Sequence, residues 1–209
     1  MDIKSHLYIA HIVQDTVQAN LPVKLNLAWF GYGSISPDFS LGRYRNRHFA
    51  KTAYQFIQDE INDLCSGDID FNQGIPAQFA IRLGIVAHYV CDFFCFAHTP
   101  LFSGNMHKHL QYEHKLRAFC KENEADLRRK TRPKLELILP NASEIRLHLA
   151  KRQEEYFARP SSLENDFTQA TEAASMVVMS VIAFCLESYL GYSVVTQPMS
   201  LLPQIAPAM

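Results

Sequence analysis

Residues 88–98 read His88-Tyr-Val-Cys-Asp92-Phe-Phe-Cys-Phe-Ala-His98, which places two histidines and an aspartate in an apolar run. The hydrophobic residues predict a buried helix. On a helix, positions i and i+4 lie on one face, so His88 and Asp92 point the same way, and His98 can turn back toward them. Buried charge is costly unless it is paired or bound to a metal. The stretch therefore indicates either a core helix with satisfied polar residues or a metal site.

A second cluster of the same kind occupies residues 106–114, which read Met-His-Lys-His109-Leu-Gln-Tyr-Glu113-His. His109 and Glu113 are again four residues apart, and His98 lies between the two pairs. Imidazole nitrogen and carboxylate oxygen without thiolate suit zinc, and they also suit manganese or iron. The repetition favours a metal site over chance polar residues in a core.

The composition is that of an ordinary globular protein. The chain has 209 residues, 48% of them hydrophobic and 20% charged, and its net charge is -1. This length predicts a single domain over residues 1–209 with a sizeable core. The balanced charge argues against a nucleic-acid coat protein and against a disordered chain.

The cysteines and the apolar segments indicate in which cellular compartment the protein is expected. The five cysteines cannot all pair, and we interpret them as free thiols in a reducing compartment. The first residues do not resemble a secretory signal, and the longest apolar run, residues 176–186, is too short to span a bilayer. These features predict a cytoplasmic protein without a transmembrane segment.

Apolar residues recur with helical periodicity, which predicts an all-α fold, a multi-helix bundle. Ser5 is the expected N-cap of the first helix. Trp29 is expected either to pack over the metal cleft or, as we favour, to lie in the core. The glycines, serines and proline of residues 31–38 predict a loop, and residues 190–209 an extended C-terminal tail. The expected helices cover residues 5–20, 45–65, 76–96, 105–123, 143–157 and 163–190.

Two earlier segments offer further ligands, one with His6 and one with Asp38 and, ten residues later, His48. The series resembles the ligand order of the zinc-dependent phospholipase C family, and of the single-strand-specific nucleases that share its fold. Residues 88–98 match that family's H-x-x-x-D-x-x-x-x-x-H motif, and residues 109–113 are similar to its H-x-x-[YF]-E element. The resemblance covers residues 5–113 and rests on His6, Asp38, His48, His88, Asp92, His98, His109 and Glu113 in that order.

The resemblance implies an all-α protein whose metal cleft holds two to three zinc ions per chain. If the ligands of the family are assigned to the matching residues of this chain, Asp38, His48, His88 and Asp92 would bind one zinc. His98, His109 and Glu113 would bind a second, and His6, Asp92 and the N-terminal amine a third. The chain departs from the secreted relatives at that amine, because they expose a tryptophan by processing and this chain starts with Met1. Whether the Met1 amine completes the third site stays open.

The activity implied by the resemblance is hydrolysis of a phosphoester by metal-bound hydroxide, with Asp38 as the catalytic carboxylate that orients or deprotonates the attacking water. The expected substrate is a phosphoester small molecule or a phospholipid headgroup. One alternative is a nuclease-like phosphodiesterase. Nucleic acid is the less favoured substrate, because the pI is about 6.7 and the aromatic residues look like core. The other alternative is a catalytically silent zinc-binding protein. The oligomeric state is not indicated.

Overall fold

The computed structural model describes residues 1–39, 50–67, 69–130, 138–191 and 193–194. Within these ranges the chain forms eight α-helices, one short 3₁₀-helix and no strand, which confirms the all-α prediction. His48 and most of the predicted tail lie outside the described residues. The helices are α1 (Ile3–Asn20), α2 (Leu27–Phe39), α3 (Ala50–Ser66), α4 (Ala77–Phe93), the 3₁₀-helix (Phe96–His98), α5 (Met106–Glu122), α6 (Glu124–Lys130), α7 (Ala142–Phe157) and α8 (Leu163–Leu190).

Helices α4 and α8 form the centre of the core. Helix α8 packs against α1, α3, α4, α5 and α7. It begins where the Ser162 side chain accepts a hydrogen bond from Asn165 N, and it ends at Gly191, whose φ of 73° is in the left-handed region that favours glycine. The buried apolar side chains of the described residues form one cluster that extends from Met1 to Val194.

Helix α8 has the predicted bounds, residues 163–190, and its apolar stretch extends beyond the run 176–186. Its 28 residues are long and apolar enough to cross a membrane on length and composition alone, with a mean hydropathy of 1.8 in the most apolar window. However, 72% of that window is buried inside the protein. The small residues Ala170, Ala173 and Ala174 extend the fully buried part of the helix toward its N-terminus. A helix surrounded by apolar partners needs this composition to form a core.

Residues 31–38 lie inside α2, so the predicted loop is wrong. A Cβ added to Gly33 would lie 2.1 Å from the carbonyl oxygen of Ile81, and one added to Gly84 would lie 2.2 Å from that of Phe30. The two glycines therefore allow the backbones of α2 and α4 to pack in direct contact. Gly33, which helped to predict a turn, instead permits the close packing of the two helices.

The first helix begins earlier than predicted. Asp2 is its N-cap, because the Asp2 side chain accepts a hydrogen bond of 2.9 Å from Ser5 N. The predicted cap, Ser5, lies inside the helix, and its hydroxyl donates to the same Asp2 oxygen. An aspartate three residues before a backbone N–H satisfies that donor as well as a serine does.

Helix α2 has one buried and one exposed side. Phe30 is fully buried, whereas Trp29 is 47% exposed and Tyr32 57% exposed, so the prediction that Trp29 belongs to the core is wrong. Pro37 lies inside the helix and cannot donate to the carbonyl of Gly33. The Ser36 hydroxyl donates to that carbonyl instead, at 3.2 Å, and the helix continues to Phe39.

Replacing Gly84 by alanine is expected to destabilise the fold by about 1–3 kcal/mol, because the new Cβ would overlap a backbone oxygen that cannot move aside. Urea unfolding followed by circular dichroism measures this loss. The matched control is Gly31→Ala, whose Cβ would lie 3.5 Å from Leu7 Cδ2, an ordinary contact. Alanine's higher helix propensity should stabilise that variant by up to about 1 kcal/mol. Equal stability of Gly84→Ala and the unmodified protein would contradict the close packing of α2 on α4.

Candidate metal centre

The side chains singled out as metal ligands, apart from His48, meet in one buried cluster. Helices α1, α2, α4 and α5 and the 3₁₀-helix all contribute to it. The residues brought together are His6, Asp38, His88, Asp92, His98, His109 and Glu113. Their spacing along the chain is therefore matched by proximity in space, and their role as zinc ligands stays a prediction.

A first ligand group consists of His6, Asp38 and His88, whose ligand atoms lie within 4.8 Å of one another. The rings of His6 and His88 stack with their centroids 4.1 Å apart. His88 Nε2 lies 3.8 Å from Asp38 Oδ1. The other ring nitrogen, Nδ1, lies 3.0 Å from the carbonyl oxygen of Ser34. Because a carbonyl can only accept, Nδ1 carries the proton and Nε2 keeps a lone pair for a metal.

A second ligand group consists of His98, His109 and Glu113, whose ligand atoms also lie within 4.8 Å of one another. Glu113 Oε1 is 2.9 Å from His98 Nε2 and 3.2 Å from His109 Nε2. His109 and Glu113 share a face of α5 because they are one helical turn apart. His98 reaches them from the 3₁₀-helix, and Tyr112 on α5 contacts the same turn through its ring.

The carboxylate of Asp92 lies between the two groups. Its Oδ1 is 3.4 Å from His6 Nε2, and its Oδ2 is 3.5 Å from His88 Nε2 and 3.4 Å from His98 Nδ1. A carboxylate can bind two cations through its two oxygens. Asp92 is therefore placed to join two metal positions, and its predicted sharing between the first and third zinc ions stays a prediction.

The amine of Met1 also lies in the cluster. It donates a hydrogen bond to Asp92 Oδ1 and lies 2.9 Å from His98 Nε2 and 3.3 Å from Glu113 Oε1. Burial lowers the pKa of this amine, but the negative charges around it, with Asp92 the largest, outweigh burial and raise it well above 8.0. As an ammonium, the amine occupies a position that attracts a cation.

The expected division into three zinc sites stays a prediction. His6 lies with Asp38 and His88 but also faces Asp92 Oδ1, to which the Met1 amine donates, and the amine lies beside His98 and Glu113 as well. The order of ligands along the chain cannot distinguish these arrangements, because Asp92 is adjacent to both groups and the stacking of His6 on His88 is a tertiary contact.

Two supports of the cluster had no recognisable signal in the sequence. One is Ser34, whose carbonyl orients His88 and could have come from any residue type. The other is Arg117 on α5, which forms an ion pair of 3.1 Å with Asp2 and so anchors the residue next to Met1. Both depend on contacts between residues distant in the chain, which no local sequence pattern indicates.

The burial of the cluster fits a metal ion. His6 is 1% exposed, and among the described residues neither of its ring nitrogens has a hydrogen-bond partner. A buried imidazole without such a partner loses the hydration of both nitrogens. Coordination through Nε2, which faces Asp92, would recover much of that loss, and the surrounding nitrogen and carboxylate ligands are those of zinc sites.

The protonation states also suit a cation. Burial lowers the pKa of His88 well below 6.5, and the neighbouring His6 lowers it further. Burial likewise lowers the pKa of His98. Burial raises the pKa of Glu113, but hydrogen bonds from His109 and His98 outweigh it and hold that pKa well below its usual range. Neutral imidazoles and an ionised carboxylate therefore coexist at neutral pH.

Comparison with known proteins gives one family match. The family model described as zinc dependent phospholipase C matches residues 5–170, which include both ligand groups. No curated protein and no solved structure matches the chain.

We predict that zinc content stays constant from mildly alkaline pH down to 6.5 and falls only below that value. With lowered histidine pKa values, the folded protein binds fewer protons than the unfolded chain once the pH falls below 6.5. Below that value protons favour unfolding and metal release together, whereas above it His88 and His98 bind few protons that could compete with a metal. Inductively coupled plasma mass spectrometry after dialysis at each pH gives the profile. Loss of most zinc between mildly alkaline pH and pH 6.5 would contradict the lowered pKa values of His88 and His98.

Proposed function

Because the chain belongs to the zinc-dependent phospholipase C family, we propose that it is a zinc-dependent hydrolase that cleaves a phosphoester bond. The observation that carries this proposal is the pair of ligand groups joined by Asp92. Adjacent metal positions suit phosphodiester cleavage, because one cation can stabilise the attacking oxygen and another the leaving oxygen. The number of zinc ions, two to three per chain, is part of the proposal.

The residues of the cluster have different roles in the proposed reaction. Zinc bound here would supply a Lewis acid that polarises the phosphoryl group and lowers the pKa of water. Asp92 and Glu113 provide buried negative charge, and Ser34 orients the ring of His88. Asp38 is the most exposed carboxylate of the cluster, with 20% of its side chain accessible. We assign to it the orientation of the attacking water and the acceptance of its proton.

Exposed apolar side chains around the cluster favour a phosphoester in a lipid surface. Met106 and Leu110 are 70% and 57% exposed and occupy the face of α5 that carries Glu113, at positions i, i+4 and i+7. Leu101 is 60% exposed and follows the turn that carries His98. Apolar residues that border a headgroup site can enter the acyl boundary of a membrane. We therefore propose a phospholipid headgroup as the substrate.

The exposed aromatic pair on α2 favours a second candidate, a nuclease-like phosphodiesterase. Trp29 and Tyr32 are three residues apart and exposed, and bases stack on such side chains. The net charge of -1 does not provide the general attraction that nucleic-acid binding uses. A direct comparison of single-stranded DNA with phosphatidylcholine vesicles as substrates separates the two candidates.

A cytoplasmic location also remains a proposal. All five cysteines are free thiols. Burial raises the pKa of Cys65 to about 11 and that of Cys185 to about 12, which keeps them protonated and unreactive. Free thiols are the usual state in a reducing compartment.

Replacing His88 by alanine or Asp92 by asparagine is expected to lower kcat/KM on p-nitrophenyl phosphorylcholine by more than about 100-fold, because each change removes a direct ligand. Release of p-nitrophenol measures turnover, and circular dichroism checks that the helix content is retained. The control is His107→Ala, which removes an exposed imidazole of α5 and should leave turnover unchanged. Full activity of the His88 or Asp92 variant would exclude the proposed centre.

The double variant Leu101→Ser, Met106→Ser is expected to lose at least about tenfold in hydrolysis of phosphatidylcholine vesicles relative to soluble p-nitrophenyl phosphorylcholine. Each substitution removes an apolar contact with the acyl boundary that is worth about 1–2 kcal/mol. Leu147→Ser is the matched control, since Leu147 is 65% exposed on α7, which contributes no residue to the cluster described here. An unchanged ratio of vesicle to soluble turnover would argue against a lipid substrate.

A further inference from the structure

We propose that Asp166, on the first turn of α8, is a positioning residue that fixes the geometry of the second ligand group. Asp166 is fully buried and is not one of the ligands. The inference rests on the proposed function, because it concerns how one of the two metal positions is held. It assigns to α8 a role in the metal centre that no motif in the sequence indicates.

The first contact of Asp166 is with the turn that carries His98. Phe96 N donates a hydrogen bond of 2.7 Å to Asp166 Oδ2. Helix α4 ends at Phe93, and Phe96 is the first residue of the 3₁₀-helix whose last residue is His98. A turn of three residues contains few internal hydrogen bonds, so this contact fixes where it begins.

The second contact is with the helix that carries the other two ligands. Tyr112 OH donates a hydrogen bond of 2.8 Å to the same Asp166 oxygen, Oδ2. Tyr112 directly precedes Glu113 on α5, and its ring lies 5.6 Å from that of Phe96. One oxygen atom therefore holds the backbone of the turn and a side chain of α5 together. The distance between His98 and Glu113 depends on the same two elements.

The third contact does not involve the second ligand group. Tyr156 OH, on α7, donates a hydrogen bond of 2.7 Å to Asp166 Oδ1. The three donors satisfy the carboxylate in a place where it has no water to bind, which is why a buried acid is tolerated there. None of these three donors belongs to the first ligand group, which consists of His6, Asp38 and His88.

Because the contacts of Asp166 reach the second ligand group and not the first, the loss of Asp166 should affect zinc binding at the two groups differently. If Asp166 only stabilised the fold, its loss would weaken zinc binding at both ligand groups alike. If it positions the turn against α5, its loss weakens the second ligand group and leaves the first unchanged. Partners that orient metal ligands typically change metal affinity by about 10- to 100-fold.

The experiment is a zinc titration of the full chain, first stripped of metal, against a chromophoric chelator that resolves the dissociation constants. The His109→Ala variant identifies the constant that belongs to the second ligand group, because it removes one of that group's ligands. In Asp166→Ala this constant is expected to rise by about 10- to 100-fold, while the other constant stays as in the unmodified protein.

A pair of conservative variants keeps the test decisive if Asp166→Ala does not fold. Tyr112→Phe and Tyr156→Phe each remove one hydroxyl from the same carboxylate, but only Tyr112 lies on α5. Tyr112→Phe is expected to weaken the second ligand group, and Tyr156→Phe is not. Asp166→Asn should recover most of the affinity, because its carbonyl oxygen can accept from Phe96 N and Tyr112 OH while its amide donates to Tyr156.

Thr171→Val is the control for loss of a buried hydrogen bond on α8, since the Thr171 hydroxyl donates only within its own helix. Equal effects of Tyr112→Phe and Tyr156→Phe, or unchanged zinc affinity in both Asp166→Ala and Tyr112→Phe, would overturn the positioning role while leaving the metal centre intact. An unmodified protein that binds no zinc would overturn the proposed function and this inference together.

Discussion

The carboxylate of Asp92, buried between two groups of imidazoles, sets the constraint that the rest of the structure has to meet. Taking one ionised group out of water costs on the order of several kcal/mol. The apolar side chains of α4 offset none of this cost, and His88 on the same helix contributes one contact. Further contacts come from other elements: His6 from α1, His98 from the 3₁₀-helix and the amine of Met1 all lie against the two Asp92 oxygens. Each of these groups is a cation or a potential metal ligand, so the same arrangement that makes the burial tolerable also makes the cluster suitable for metal ions.

The two ligand groups are held by different means. The first depends on the direct packing of α2 against α4, where Gly33 and Gly84 bring the backbones together and place Ser34 next to His88. Because the backbones of α2 and α4 are in direct contact, the position of His88 relative to Ser34 can vary little. The second depends on a short turn after α4, which its own hydrogen bonds hold weakly and which Asp166 ties to α5. A chain that gathers ligands from five elements needs such long-range contacts, because helix periodicity alone orients only ligands on the same helix.

The sequence was informative where the physics is local. The pairs His88 with Asp92 and His109 with Glu113 could be recognised because a helix places residues four apart on one face. The ends of α8 were predicted correctly because Ser162 and Gly191 are strong cap signals.

The predictions failed where one residue type can serve two structural purposes. The glycines of α2 permit a turn but equally permit close packing, and only the position of α4 decides between them. Trp29 is apolar enough for a core, yet it faces solvent. Asp166 resembles any acidic residue at a helix N-terminus, and its role depends on Phe96 and Tyr112, which are distant in sequence.

The central claim is that the buried carboxylates and imidazoles hold zinc, and anomalous diffraction at the zinc absorption edge tests it most directly. Crystals would be grown from protein purified without added metal or chelator, so that any zinc present was acquired during expression. We expect one anomalous peak within bonding distance of His6 and His88 and another within bonding distance of His98, His109 and Glu113, with Asp92 between them. Crystals that show the same side-chain arrangement but no anomalous peak at either position, even after soaking in zinc, would contradict the claim and would make the cluster a structural network of hydrogen bonds.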